Sequence, residues 1–96
     1  MHLTIRRYKL AKGASVDDLA RQVNDVFIPV LSKSPGFQAY YAVDLGHGEV
    51  ASVSVFDDKA GAEESTQRAA DFVKNKVAPL VTAPPVITMG EVVAHK

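Results

Sequence analysis

Residues 35–80 read PGFQAYYAVDLGHGEVASVSVFDDKAGAEESTQRAADFVKNKVAPL. Pro35-Gly36 is a turn signal, and Phe37 to Leu45 is an aromatic and β-branched alternation. Gly46-His47-Gly48 is short and permissive of positive φ, and Glu49 to Phe56 alternates Val with small residues. Two such runs around a glycine turn predict a β-hairpin. Asp57 or Asp58 then supplies a helix cap, and Glu63 and Glu64 suit the first turns of the helix dipole. Ala62, Ala69, Phe72, Val73, Val77 and Leu80 fall on one helical stripe, closed by Pro79 and Pro84-Pro85.

Outward from that stretch, His2 to Leu10 is rich in β-branched and aromatic residues and precedes Lys12-Gly13, which predicts a first strand. Ser15-Val16-Asp17-Asp18 resembles a capping box. Val16, Leu19, Val23, Val26, Phe27 and Val30 recur at spacings of three and four, the apolar face of a helix. Pro29 is expected to kink or tighten its last turn, and Ser34-Pro35-Gly36 ends it. Val86 to His95 reads as the last strand. The order is therefore β-α-β-β-α-β, and the halves echo each other: Val26-Phe27-Ile28-Pro29 ends one helix and Val77-Ala78-Pro79 the other. Two interleaved right-handed β-α-β units give a four-stranded antiparallel sheet, order 4-1-3-2, with both helices on one face. This is a ferredoxin-like α+β sandwich, a single domain over residues 1–96.

Composition bounds the function. With 47% hydrophobic and 23% charged residues the chain is an ordinary globular one. Eleven basic and eleven acidic residues cancel, so no field draws the protein to nucleic acid or an anionic membrane. There is no cysteine, hence no disulfide or thiolate metal site. No apolar run approaches a membrane span and the N-terminus lacks a signal-peptide layout, so a cytoplasmic domain is expected. The sheet is apolar on both faces: Leu3, Ile5, Val53 and Val55 lie in one alternation, Tyr8, Leu10 and Phe56 in the other. Phe37, Ala39, Tyr41 and Val43 likewise oppose Tyr40 and Ala42 on the second strand. Helices bury only one of these faces, so a homodimer packed sheet on sheet is expected.

The segments IRRYKLAKG (5–13), PGFQAY (35–40) and VSVFDDKA (53–60) resemble the dimeric α/β-barrel superfamily, in particular its small members similar to antibiotic-biosynthesis monooxygenases. The resemblance spans nearly the whole chain. It implies pairing as a dimeric α/β barrel, with a cavity between helices and sheet in each subunit. Arg6, Tyr8, Ser54 and Phe56 would then share the sheet wall, since alternate residues face one side. Asn24 and Ser65 would overhang from the helices. Phe56 stands where the family often has Trp, Ser65 near its usual helical His, and Arg6 where haem-degrading relatives use Asn. The second helix has no histidine at all, so no axial haem ligand and no cofactor is expected.

One cation between aromatic walls suits a planar, anionic or enolisable aromatic ligand; because nothing else in the sequence converges on Arg6 and Tyr8, ordinary sheet-edge or dimer contacts are the favoured expectation for them. His2 and His95 are expected to come together on adjacent strands, but two ligands near termini make a poor metal site, and none is expected. His47 is an ordinary turn residue, Asp57-Asp58 is accounted for by capping, and Tyr40-Tyr41 point to opposite faces. The missing Trp and His favour a non-catalytic or small-ligand-binding dimer. The alternative is a cofactor-independent monooxygenase acting on an aromatic or polyketide-type compound, with the protein stabilising an enolate or phenolate.

Overall fold

A computed structural model describes residues 1–82 and 84–96. Strand β1 (His2–Lys9) leads to a composite helix of α1 (Val16–Gln22), a π-helical turn (Val23–Phe27) and α2 (Ile28–Leu31). The hairpin β2 (Phe37–Gly46) and β3 (Glu49–Phe56) follows. A second composite helix joins α3 (Lys59–Phe72), a π-helical turn (Val73–Val77) and a 3₁₀ turn (Ala78–Leu80), before β4 (Val86–Glu91). The strands form one antiparallel sheet in the order β2-β3-β1-β4, the expected ferredoxin-like order counted from the opposite edge. No helix among the described residues is long and apolar enough to cross a membrane.

Local chemistry sets the element ends. Ser15 Oγ accepts the Asp18 N–H at 3.2 Å, and Asp58 Oδ1 accepts the Gly61 N–H at 2.8 Å, each satisfying an orphan donor of a first turn. His47 (φ 55°) and Gly48 (φ 77°) make the two-residue hairpin turn, both left-handed, as the twist of the flanking strands demands. Gly61 has a separate reason: a Cβ there would lie 3.0 Å from the Phe56 ring, so its absence lets α3 rest on Phe56.

Three local features differ from the sequence expectation. The turn before Pro29 widens where a tightened one was expected, and the Ile28 N–H reaches the Val23 carbonyl five residues back. Pro29 has no N–H with which to continue the α ladder, and the second helix widens at the equivalent place before Pro79. The extra residue in the first π turn rotates the buried face, so Leu31 is fully buried while Val30 is 48% exposed.

A bulge at Gln38 is the second difference: Phe37 pairs with Phe56 and Ala39 with Val55. Phe37 therefore turns to the helices, its ring 5.8 Å from Phe56, while Ala39, Tyr41 and Val43 keep the opposite face. The third is β4, which stops at Glu91 because β1 runs out of partners; Glu91 faces His2, and His95 lies four residues beyond.

The core lies between helices and sheet: Phe27, Leu31, Phe56, Ala62 and Ala69, with Phe37, Tyr40 and Phe72 packed against them. The other sheet face carries the half-buried Leu3, Ile5, Val53 and Val55, beside Tyr41 and Val43 exposed at its edge. No described helix covers it.

Candidate functional site

The helix side of the sheet holds an apolar cleft of about 180 Å³ toward the hairpin end. Its floor is Tyr8 of β1, Tyr40 and Ala42 of β2, and Val50 and Ser52 of β3. Both π turns contribute to its roof, through Val23 and Phe27 from one and Val73 and Val77 from the other. Phe27 is the hub, edge-on to Tyr40 at 5.4 Å and 4.9 Å from Phe72. The polar side chains lining the cleft are the two phenols, the Ser52 hydroxyl and, at the rim, Asp44, whose Oδ1 accepts the Gly46 N–H at 2.9 Å.

Behind this floor sits Arg6, 1% exposed, its backbone paired to Ser52 and its side chain turned the other way along the sheet. Nη1 donates to Ser54 Oγ at 2.8 Å; Nη2 donates to Ser65 Oγ and to Thr66 Oγ1, both at 3.0 Å. Those two helix hydroxyls in turn donate to the Ala62 carbonyl, at 2.7 and 3.2 Å, which leaves their lone pairs for the guanidinium. Among the described residues Arg6 joins no ion pair, and both its Nε and the neighbouring buried Thr4 Oγ1 lack a hydrogen-bond partner. A buried cation held by neutral hydroxyls keeps its positive field.

That field reaches the cleft. Burial lowers the Arg6 pKa, and Tyr8 and Tyr40 partly restore it. Burial pushes the Tyr8 phenol up, offset by the Arg6 charge. Tyr40 is also raised by burial; the Ser52 hydroxyl opposes the rise, Tyr8 adds to it and Arg6 opposes it. Both phenols are therefore neutral O–H donors at ordinary pH.

Of the residues expected at the site, Tyr8 lines the cleft, and Arg6, Ser54 and Ser65 join one another beside it. Phe56 is fully buried in the core, and Asn24 faces solvent. The opposite facing of Tyr40 and Tyr41 left open which of them could line a cavity, and it is Tyr40; Ser52, Phe27 and Phe72 were not anticipated as lining. Strand alternation contains a signal for Ser52 and Tyr40: Ser52 shares a face with Ser54, and Tyr40 pairs with Ser54 across the hairpin. No group of three or more His, Asp or Glu side chains able to hold a metal exists among the described residues.

No protein-family model matches the chain, and no curated protein matches it. Solved structures do. NE2512, a protein of unknown function from Nitrosomonas europaea, superposes with a TM-score of 0.82 at 24% identity, over 99% of this chain and 91% of its own. Rv0793 from Mycobacterium tuberculosis gives 0.74 at 16% identity, over 98% and 96%. A structure described as an antibiotic biosynthesis monooxygenase gives 0.72 at 16% identity, over 98% and 100%. At these identities the likeness is one of fold: the chain shares the small ferredoxin-like α+β architecture of antibiotic-biosynthesis-monooxygenase-like proteins.

Proposed function

We propose that this protein is a homodimeric small-ligand-binding protein that takes a small aromatic molecule into the cleft beneath its two π turns. The observation that carries the reading is the cleft's chemistry: aliphatic and aromatic walls with three hydroxyls at the floor. Few convergent polar groups in an apolar pocket orient a ligand without binding water in its place. The volume sets the size class. An apolar cavity of about 150 Å³ holds benzene, so a cleft of about 180 Å³ holds one substituted ring, with anything larger projecting through the mouth. A second copy covers the opposite sheet face, whose Leu3, Ile5, Val53 and Val55 otherwise meet solvent on an uncovered layer. Ligand-dependent melting tests the first part: single-ring phenols are expected to raise Tm in a concentration-dependent way, and bulky substitution of Ser52 to Phe to abolish the shift. Sedimentation at low micromolar concentration tests the second, with a dimer expected and a clean monomer against it.

The fold shared with a structure described as an antibiotic biosynthesis monooxygenase supports a second reading, cofactor-independent oxygenation. An anthrone methylene would take one oxygen atom of dioxygen and become a carbonyl, the other oxygen leaving as water with the two methylene hydrogens. The cleft would stabilise the enolate and exclude water. Oxygen uptake with anthrones and quinols separates the two readings: binding without uptake leaves the binding protein.

A further inference from the structure

We infer that the cleft selects a weakly acidic aromatic, a phenol or enol, in its ionised form, with Arg6 as the positioning charge that never touches it. The inference rests on the small-ligand reading above and names the ligand class of that site.

Three observations converge. First, Arg6 is buried without a carboxylate among the described residues, tethered by Ser54, Ser65 and Thr66 from two different elements. The tethers aim the guanidinium away from the cleft, so it acts through space and does not swing into the ligand. Second, its neighbours on the same sheet face are cleft residues: Tyr8 lies two residues along the strand, about 7 Å away, and Ser52 is its cross-strand partner. Third, Tyr8 and Tyr40 stay protonated, so they offer O–H donors to an oxyanion, while a neutral phenol would leave the buried charge without any balancing one.

The opposing charges are few. Asp44 is the one ionised side chain lining the cleft, and it stands at the exposed rim, bonded to Gly46. On the roof elements Asp17, Asp18, Arg21, Asp25, Glu63, Glu64, Asp71, Lys74 and Lys76 are exposed, Arg68 is paired to Glu64, and none of them lines the cleft. Their fields are screened by salt; that of buried Arg6 is screened much less. On binding, the ligand's O–H bond breaks, its electron pair stays on oxygen, and the proton leaves to solvent.

4-Nitrophenol reports this directly, because only its phenolate absorbs in the visible. With protein in excess below the probe's own pKa, the visible band is expected to grow, an apparent downward shift of about one unit, the effect of one nearby opposite charge. The shift is expected to persist at high salt, to vanish or reverse in Arg6→Met, and to remain in Asp44→Asn. Tyr8→Phe is expected to weaken phenolate binding about tenfold, the worth of one hydrogen bond to a charged group, and it keeps the test intact should Arg6→Met fold poorly. Uptake of the neutral probe in preference, or a shift that salt abolishes, overturns the ionised-ligand inference and leaves the binding reading standing. Failure to take up the probe at any pH overturns both.

Discussion

The three-hydroxyl tether of Arg6 makes an asymmetric prediction. Nη1 has a single acceptor, Ser54 Oγ, whereas Nη2 has two, Ser65 Oγ and Thr66 Oγ1. A hydrogen bond to a charged group contributes about 1.5–3 kcal/mol, most of it felt when the charged partner is left buried without an alternative. Ser54→Ala removes the only acceptor of Nη1 and is expected to cost about 2 kcal/mol. Ser65→Ala or Thr66→Val alone leaves Nη2 served by the other hydroxyl, and each is expected to cost less than about 1 kcal/mol. The double variant strands Nη2 and is expected to cost about 2–3 kcal/mol, a coupling of about 1 kcal/mol beyond the sum. For a chain of this size 1 kcal/mol moves Tm by about 4–8 °C, so Ser54→Ala falls by roughly 10 °C and each helix single by a few degrees. Urea titrations with unchanged m-values give the free energies. Additive helix variants, each as costly as Ser54→Ala, would refute the shared-acceptor arrangement. So would an undiminished Ser54→Ala effect in an Arg6→Met background, where no guanidinium remains to serve.

Leu31→Ala is expected to cost about 2–5 kcal/mol, as for other fully buried leucines, and Val30→Ala under about 1 kcal/mol, measured by urea unfolding. Equal costs would mean that the π turn does not rotate the helix face. His47→Asn is expected to stabilise by about 0.5 kcal/mol, since Asn accepts left-handed backbone more readily than His; a thermal melt reads it. Folded Tyr8 and Tyr40 hold their protons above the unfolded value, so their contribution is complete below about pH 10 and is lost as pH rises through the folded pKa values. Tm is accordingly expected to fall more steeply above pH 10 in the wild type than in a Tyr8→Phe, Tyr40→Phe variant.

The architecture was legible because its signals are local. The glycine turn, the Ser15 and Asp58 caps and the apolar periodicities each sit within a few residues, and together they leave few topologies. The discrepancies arise where one residue changes a register. Gln38 bulges and carries Phe37 to the other face, and each helix widens into a π turn ahead of its proline, Pro29 in one and Pro79 in the other. Neither effect has a period, so neither shows in a pattern count.

The site was harder to read for the same reason. Tyr8 follows from strand alternation once the helix side is known, and so would Ser52 and Tyr40 have followed from the pairing of β2 with β3. The destination of Arg6 does not follow. Its partners lie 48 to 60 residues away, and only the packing of α3 over β1 and β3 brings Ser65 and Thr66 above it. A side chain expected on the pocket wall is thus tethered by three hydroxyls beside the cleft.

Amide chemical-shift mapping with 4-nitrophenol tests most directly whether the helix-side cleft is the place of action. Saturable shifts are expected at Tyr8, Val23, Ser52 and Phe72, with the amides of Leu3, Ile5, Val53 and Val55 on the far sheet face unmoved. Shifts confined to that far face, or none up to the probe's solubility, would contradict it.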